Sequence, residues 1–270
     1  MMNKKRGFHK IIVATIMVGS LLQVGTRADA EEQVAIQLAA ASIHSYKDFD
    51  ANAHWASAMQ WAIDKGIISG YQNQKHPTDS KKGVGNWLNP NGRLTEYQML
   101  TMILKYYNAD LLASEKAYTS KTDLDQNFAF AEYTLAEELG IVTKGSTANV
   151  APASQQVTRG QMAQALVSLH YGQSVTLEQA VEFMYANNLT TGKDPAKGQT
   201  LANFGAADKL TRTQMVVFLE RHATQRSMEI ETFLEGLAED IYRRDNGLPP
   251  NPNNNPFLPM IEEEFLRMFE

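Results

Sequence analysis

The sequence predicts an all-α protein built as three helix-loop-helix units in a pseudo-threefold bundle, with a C-terminal helix and a Pro- and Asn-rich tail. Two observations carry that expectation. One short pattern occurs three times, as Leu94-Thr95-Glu96-Tyr97-Gln98-Met99, Val157-Thr158-Arg159-Gly160-Gln161-Met162 and Leu210-Thr211-Arg212-Thr213-Gln214-Met215. A second helical segment lies upstream of each copy. One helix pair cannot bury its apolar face alone, so three units sharing one core are expected.

Each pattern reads as a helix N-terminus. Thr is the N-cap, and Gln at the third helical position reaches back to the N–H of the cap, completing a capping box. The Leu or Val ahead of the cap and the Met beyond it suit a hydrophobic staple. Apolar residues then recur at helical spacing: Met99, Met102, Ile103 and Tyr106; Met162, Ala165, Leu166 and Leu169; Met215, Phe218 and Leu219. The upstream helices are expected over 54–65, about 127–139, and 176–187, ending at Gly66, Gly140 and Asn188, the residue types that follow helix C-termini. The segment 72–92, rich in Gly, Pro, Asn and Lys, is expected to be a loop. The units are placed at 46–108, 118–171 and 174–225.

At the amino end, Lys4, Lys5, Arg6 and Lys10 precede an apolar run from Ile11 to Val24, and Ala28-Asp29-Ala30 supplies small residues for cleavage. This predicts a signal peptide over 1–30, because a run of about 14 residues falls short of the roughly 20 a membrane span needs. Cleavage would remove five positive charges and one negative, taking the formal charge from -5 to -9. The product is expected to be exported, with no membrane association after cleavage. An acidic balance also disfavours non-specific nucleic-acid binding.

At the other end, residues 226–245 suit one more amphipathic helix, with Ile230, Phe233, Leu234, Leu237 and Ile241 on a face. A polar linker and a short amphipathic segment fill 246–270; it either folds back or presents a helix to a protein partner.

Absent chemistry narrows the function. With no cysteine, disulfides, thiol nucleophiles and Cys-built zinc sites are excluded. No histidine pair has metal-ligand spacing, and Asp123-Leu124-Asp125-Gln126-Asn127 lacks the Gly and Glu that complete a calcium loop. No reaction-class constellation can be assembled, so no catalytic residue, metal or cofactor is expected.

In order, Tyr46-Lys47-Asp48-Phe49, His54-Trp55-Ala56, Gly66-Ile67-Ile68-Ser69-Gly70-Tyr71, Leu88-Asn89-Pro90 and Leu94-Thr95 resemble the S-layer homology domain family. The later copies match mainly through Gly140-Ile141 and the Thr-Arg-x-Gln starts, so the resemblance spans about 46–225. It implies a three-unit module that holds exported proteins on the bacterial wall by binding a secondary cell wall polysaccharide, often pyruvylated. The alternative is a secreted enzyme or accessory protein that uses the repeats only as scaffold.

Arg159 and Arg212 stand at the first helical position, where a cation opposes the helix dipole. Either each pairs with a nearby carboxylate, or the guanidinium and the free N–H groups of the first turn receive an anion. The resemblance favours the second, with a pyruvyl carboxylate as ligand. The first copy carries Glu96 instead, leaving two competent subsites unless Arg93 supplies the missing charge. Gly70 and Tyr71 form the turn that lines the groove in the family. Trp55 either faces sugar or lies in the core, and Lys144 and Lys193 either add charge to the grooves or are solvated.

Overall fold

The computed structural model describes residues 43–120 and 128–245. The expected signal segment, the polar run Asp123 to Asn127 and the tail 246–270 lie outside the described residues. Among the described residues, seven α-helices and one two-stranded sheet make the structure mainly helical. In order they are α1 (Ala56–Asp64), β1 (Tyr71–Lys75), β2 (Val84–Trp87), α2 (Glu96–Thr119), α3 (Phe130–Glu138), α4 (Arg159–Tyr171), α5 (Leu177–Ala186), α6 (Leu201–Phe204) and α7 (Arg212–Asp245). Ala40–Gln225 forms one compact unit, and the part of α7 from Arg226 onward belongs to another.

All three expected capping boxes form. Thr95 and Thr158 each accept from the backbone N–H of the Gln at the third position, whose side chain accepts from the N–H of the cap. Thr211 and Gln214 make the same two bonds. A fourth box, Thr176 with Gln179, starts α5. The residues ahead of the three repeated caps, Leu94, Val157 and Leu210, are fully buried, as are Met99, Met162 and Met215. The upstream helices stop where a left-handed residue is tolerated, at Gly66, Gly140 and Asn188, all with positive φ.

The three starts are also wired to one another through the backbone. Leu94 N–H donates to the Leu210 carbonyl, Leu210 N–H to Val157, and Val157 N–H to Leu94, each at 3.0 Å, closing a ring of hydrogen bonds. One turn outward, Glu96 N–H donates to Gln155, Arg159 N–H to Asp208 and Arg212 N–H to Gly92. Buried backbone polar groups need partners, and this arrangement supplies them at the centre of the unit. The predicted stripes of α2, α4 and α7 pack around it, with Ile103, Leu166 and Leu219 among the fully buried side chains and Tyr106 and Leu169 at the margin.

Two departures from the expected elements have local causes. The segment 72–92 contains the hairpin β1–β2, paired antiparallel with Tyr71 opposite Trp87. Its strands are held by side chains as well: Asn73 N–H donates to Asn86 Oδ1, and Trp87 Nε1 to the Gln74 carbonyl. Helix α2 is broken at Asn108, whose extended backbone lets its side chain accept from Leu111 N–H and start the helix afresh. Beyond the break, Lys116 pairs with buried Glu132 at 2.6 Å. Burial acts to lower the Lys116 pKa, but the hydrogen bond and attraction of Glu132 outweigh it and raise the value.

Candidate functional site

The first residue of each repeated helix projects its side chain onto residues distant in sequence. Glu96, at the head of α2, meets the loop after α3. Its Oε1 accepts from Tyr133 Oη at 2.7 Å and Gly145 N at 2.8 Å, and its Oε2 from Lys144 N at 3.1 Å. Only 1% of Glu96 is exposed. The hydrogen bond to this carboxylate, together with burial, raises the Tyr133 phenol pKa far above its ordinary value, with burial the larger cause.

Arg159, at the head of α4, lies over the rings of Phe204 and Phe218, 4.9 and 5.1 Å from their centroids, and its Nε donates to the Phe204 carbonyl at 2.9 Å. Burial among these rings lowers its pKa, although Asp208 and Tyr185 oppose that shift. Arg212, at the head of α7, reaches the start of β1, where one terminal nitrogen donates to Tyr71 Oη at 2.8 Å and the guanidinium lies 5.2 Å from the ring centroid. Its Nε is buried with no hydrogen-bond partner among the described residues.

Neither arginine forms an ion pair among the described residues. The carboxylate-partner alternative is therefore not the arrangement found. The expectation that free first-turn N–H groups receive an anion is overturned. Arg159 and Gly160 donate to the carbonyls of Asp208 and Ala206, and Arg212 and Thr213 to those of Gly92 and Pro90. The Gln161 and Gln214 N–H groups are held by their threonine caps. Inter-unit backbone pairing consumes the donors a solitary helix would leave open. At these two helix heads the backbone N–H groups are taken, and the guanidinium groups are the cationic donors.

The remaining candidates fall in different places. Tyr71 is brought to Arg212, and Gly70 precedes it in the turn. Lys193 forms an ion pair with Asp208, so its charge is already matched. Lys144 contributes its backbone N–H to Glu96 and leaves its side chain exposed. Arg93 is exposed and pairs through its backbone with Thr211, the cap before Arg212, while Glu96 finds its partners elsewhere. Trp55 is half-buried, edge-on to Phe49 and packed against the core. Tyr133, Gly145, Phe204 and Phe218 were not foreseen as partners of the three helix heads. Their sequence separations, such as 37 residues between Glu96 and Tyr133, leave no local signal.

Gly70 has φ +63, and a Cβ there would lie 2.5 Å from Tyr46 Cε1 and 2.9 Å from the Trp87 carbonyl oxygen. Gly70→Ala is expected to cost about 2–4 kcal/mol, combining left-handed strain with overpacking against backbone. Urea unfolding would measure it, and a loss within experimental error would contradict the packing described.

No helix among the described residues is long and apolar enough to cross a membrane, and none of them form a cluster of three or more potential metal ligands. Among protein-family models, that of the S-layer homology domain matches residues 45–96. No curated protein and no solved structure matches the chain.

Proposed function

Starting from the S-layer homology domain that the chain carries at residues 45–96, a kind of domain that indicates anchoring at the cell wall or surface, we propose an exported, non-catalytic wall-binding protein. Its ligand is a secondary cell wall polysaccharide bearing pyruvyl groups. In this reading the units 46–108, 118–171 and 174–225 act as one pseudo-threefold module, and residues 1–30 are removed on export. The closed ring of bonds joining Leu94, Val157 and Leu210 supports the threefold arrangement.

One observation carries the binding assignment. Two guanidinium groups, each about nine-tenths buried, sit against aromatic rings with no carboxylate partner among the described residues. Desolvated cations attract an anion far more strongly than solvated ones, and a guanidinium fork matches a carboxylate. A pyruvyl ketal supplies such a carboxylate on an otherwise neutral sugar. At Arg212 the ligand would meet a buried Nε lacking a partner, with Tyr71 alongside as an aromatic surface.

Sedimentation with purified wall sacculi tests the proposal. Binding to sacculi with pyruvylated polymer is expected, with loss of most of it when the pyruvyl groups are absent. Equal binding to both preparations would reject the ligand assignment.

A further inference from the structure

Glu96 occupies the position taken by an arginine in the other two starts, yet it is met by donors that suit a bound anion. We propose that the turn Thr143 to Gly145, together with Tyr133, is a carboxylate-binding subsite that the chain fills with its own Glu96 side chain. Consecutive N–H groups of Lys144 and Gly145 and the Tyr133 phenol converge on the two oxygens of one carboxylate, within 2.7–3.1 Å. Adjacent backbone N–H groups turned to a common point form an anion-binding concavity.

Contacts other than Glu96 hold the donors in place. Thr143 Oγ1 donates to the Gly145 carbonyl at 2.7 Å, and Val142 N–H donates to Ser168 Oγ at 2.9 Å. The Tyr133 hydroxyl lies so close over Gly145 that a Cβ there would overlap it. The turn is therefore shaped by its own unit, and the carboxylate arrives from the unit before it.

The corresponding turns offer no such pair. In the third unit Gly192 N–H is taken by Thr190 Oγ1 and Lys193 N–H by the Asn203 carbonyl. In the first, Tyr71 enters the hairpin. Of these three turns the second presents two neighbouring N–H groups to a carboxylate, as Leu88 and Asn89 do to Asp48 elsewhere in the chain, and the exposed Lys144 side chain adds positive charge nearby. The subsite's chemistry is that of a small carboxylate with two accepting oxygens, and Glu96 makes it an internal clasp closed to outside ligands. This inference stands apart from the wall-binding reading, since it concerns a groove that the protein itself occupies.

Removing the side chain should reopen the subsite. Thermal unfolding of the full chain carrying Glu96→Ala would be followed in sodium acetate and in sodium chloride at equal ionic strength. Acetate at ten times its dissociation constant is expected to raise the Tm of the variant by about 3 °C or more over chloride. The wild type and Glu96→Gln, whose side chains fill the subsite, are expected to show no such difference. An equal Tm for Glu96→Ala in the two salts would overturn the proposal, as would an acetate effect of the same size in the wild type. Should the alanine variant not fold in chloride, refolding by dilution into each salt decides: recovery confined to acetate supports the subsite, and equal failure in both refutes it.

Discussion

Replacing Arg159 and Arg212 together by alanine is expected to weaken binding to pyruvylated sacculi by at least about 100-fold. Truncating one partner of a desolvated charge pair costs on the order of 2 kcal/mol or more, which is about 30-fold per site. The two groups serve different neighbouring units, so their losses should combine rather than overlap. Arg159 also packs on Phe204 and Phe218, and its removal will lower stability as well as affinity. Arg159→Met retains much of that packing without the charge and separates the two effects. Circular dichroism would establish that each variant is folded before sedimentation is scored. Undiminished pelleting of the folded double variant would remove the arginines from the binding site.

Glu96→Ala is expected to destabilise the protein by roughly 3–5 kcal/mol, measured as ΔG of unfolding in urea. It orphans a buried N–H, a part-buried N–H and a buried phenol, each costing about 1–3 kcal/mol when left without a partner, less whatever water recovers. Glu96→Gln should cost less, because its amide oxygen can keep one or two of the three donors while its NH2 faces the rest. A loss under about 1 kcal/mol for the alanine variant would show that the clasp contributes little to joining the first two units. The surroundings of Glu96 and the two arginines differ accordingly: one helix head is satisfied within the protein, and two are left with cationic capacity.

The helix starts were legible because a capping box is closed within four residues, so Thr and Gln three apart announce it without reference to the rest of the chain. The stripes behind them were legible for the same reason, periodicity being a local property. The hairpin was not. Its composition is that of a loop, and its strands depend on the Tyr71–Trp87 pairing and on Asn86 and Trp87 side-chain bonds between residues 13 apart. The break at Asn108 was missed because Asn is tolerated in a helix, and its capping geometry appears only once the backbone turns.

For the candidate site, the residue types at the three helix heads were visible, but their destinations were not. Reading Arg159 and Arg212 as exceptions to the dipole rule marked them out, and the same rule led to first-turn N–H groups that the fold in fact closes. Whether a helix end is open depends on what another unit brings to it, here the carbonyls of Asp208, Ala206, Gly92 and Pro90.

By itself, then, the sequence determined the mainly helical class, where the repeated helices begin, which side chains they bury and where cations replace the expected acids. Those are consequences of interactions spanning one helical turn. Only the tertiary structure decided that Glu96 is buried against Tyr133 and Gly145 and that Arg212 lies on Tyr71, 141 residues away. The physical reason is that a side chain's partner across units is set by how the helix starts pair through the backbone, and no local propensity encodes that pairing.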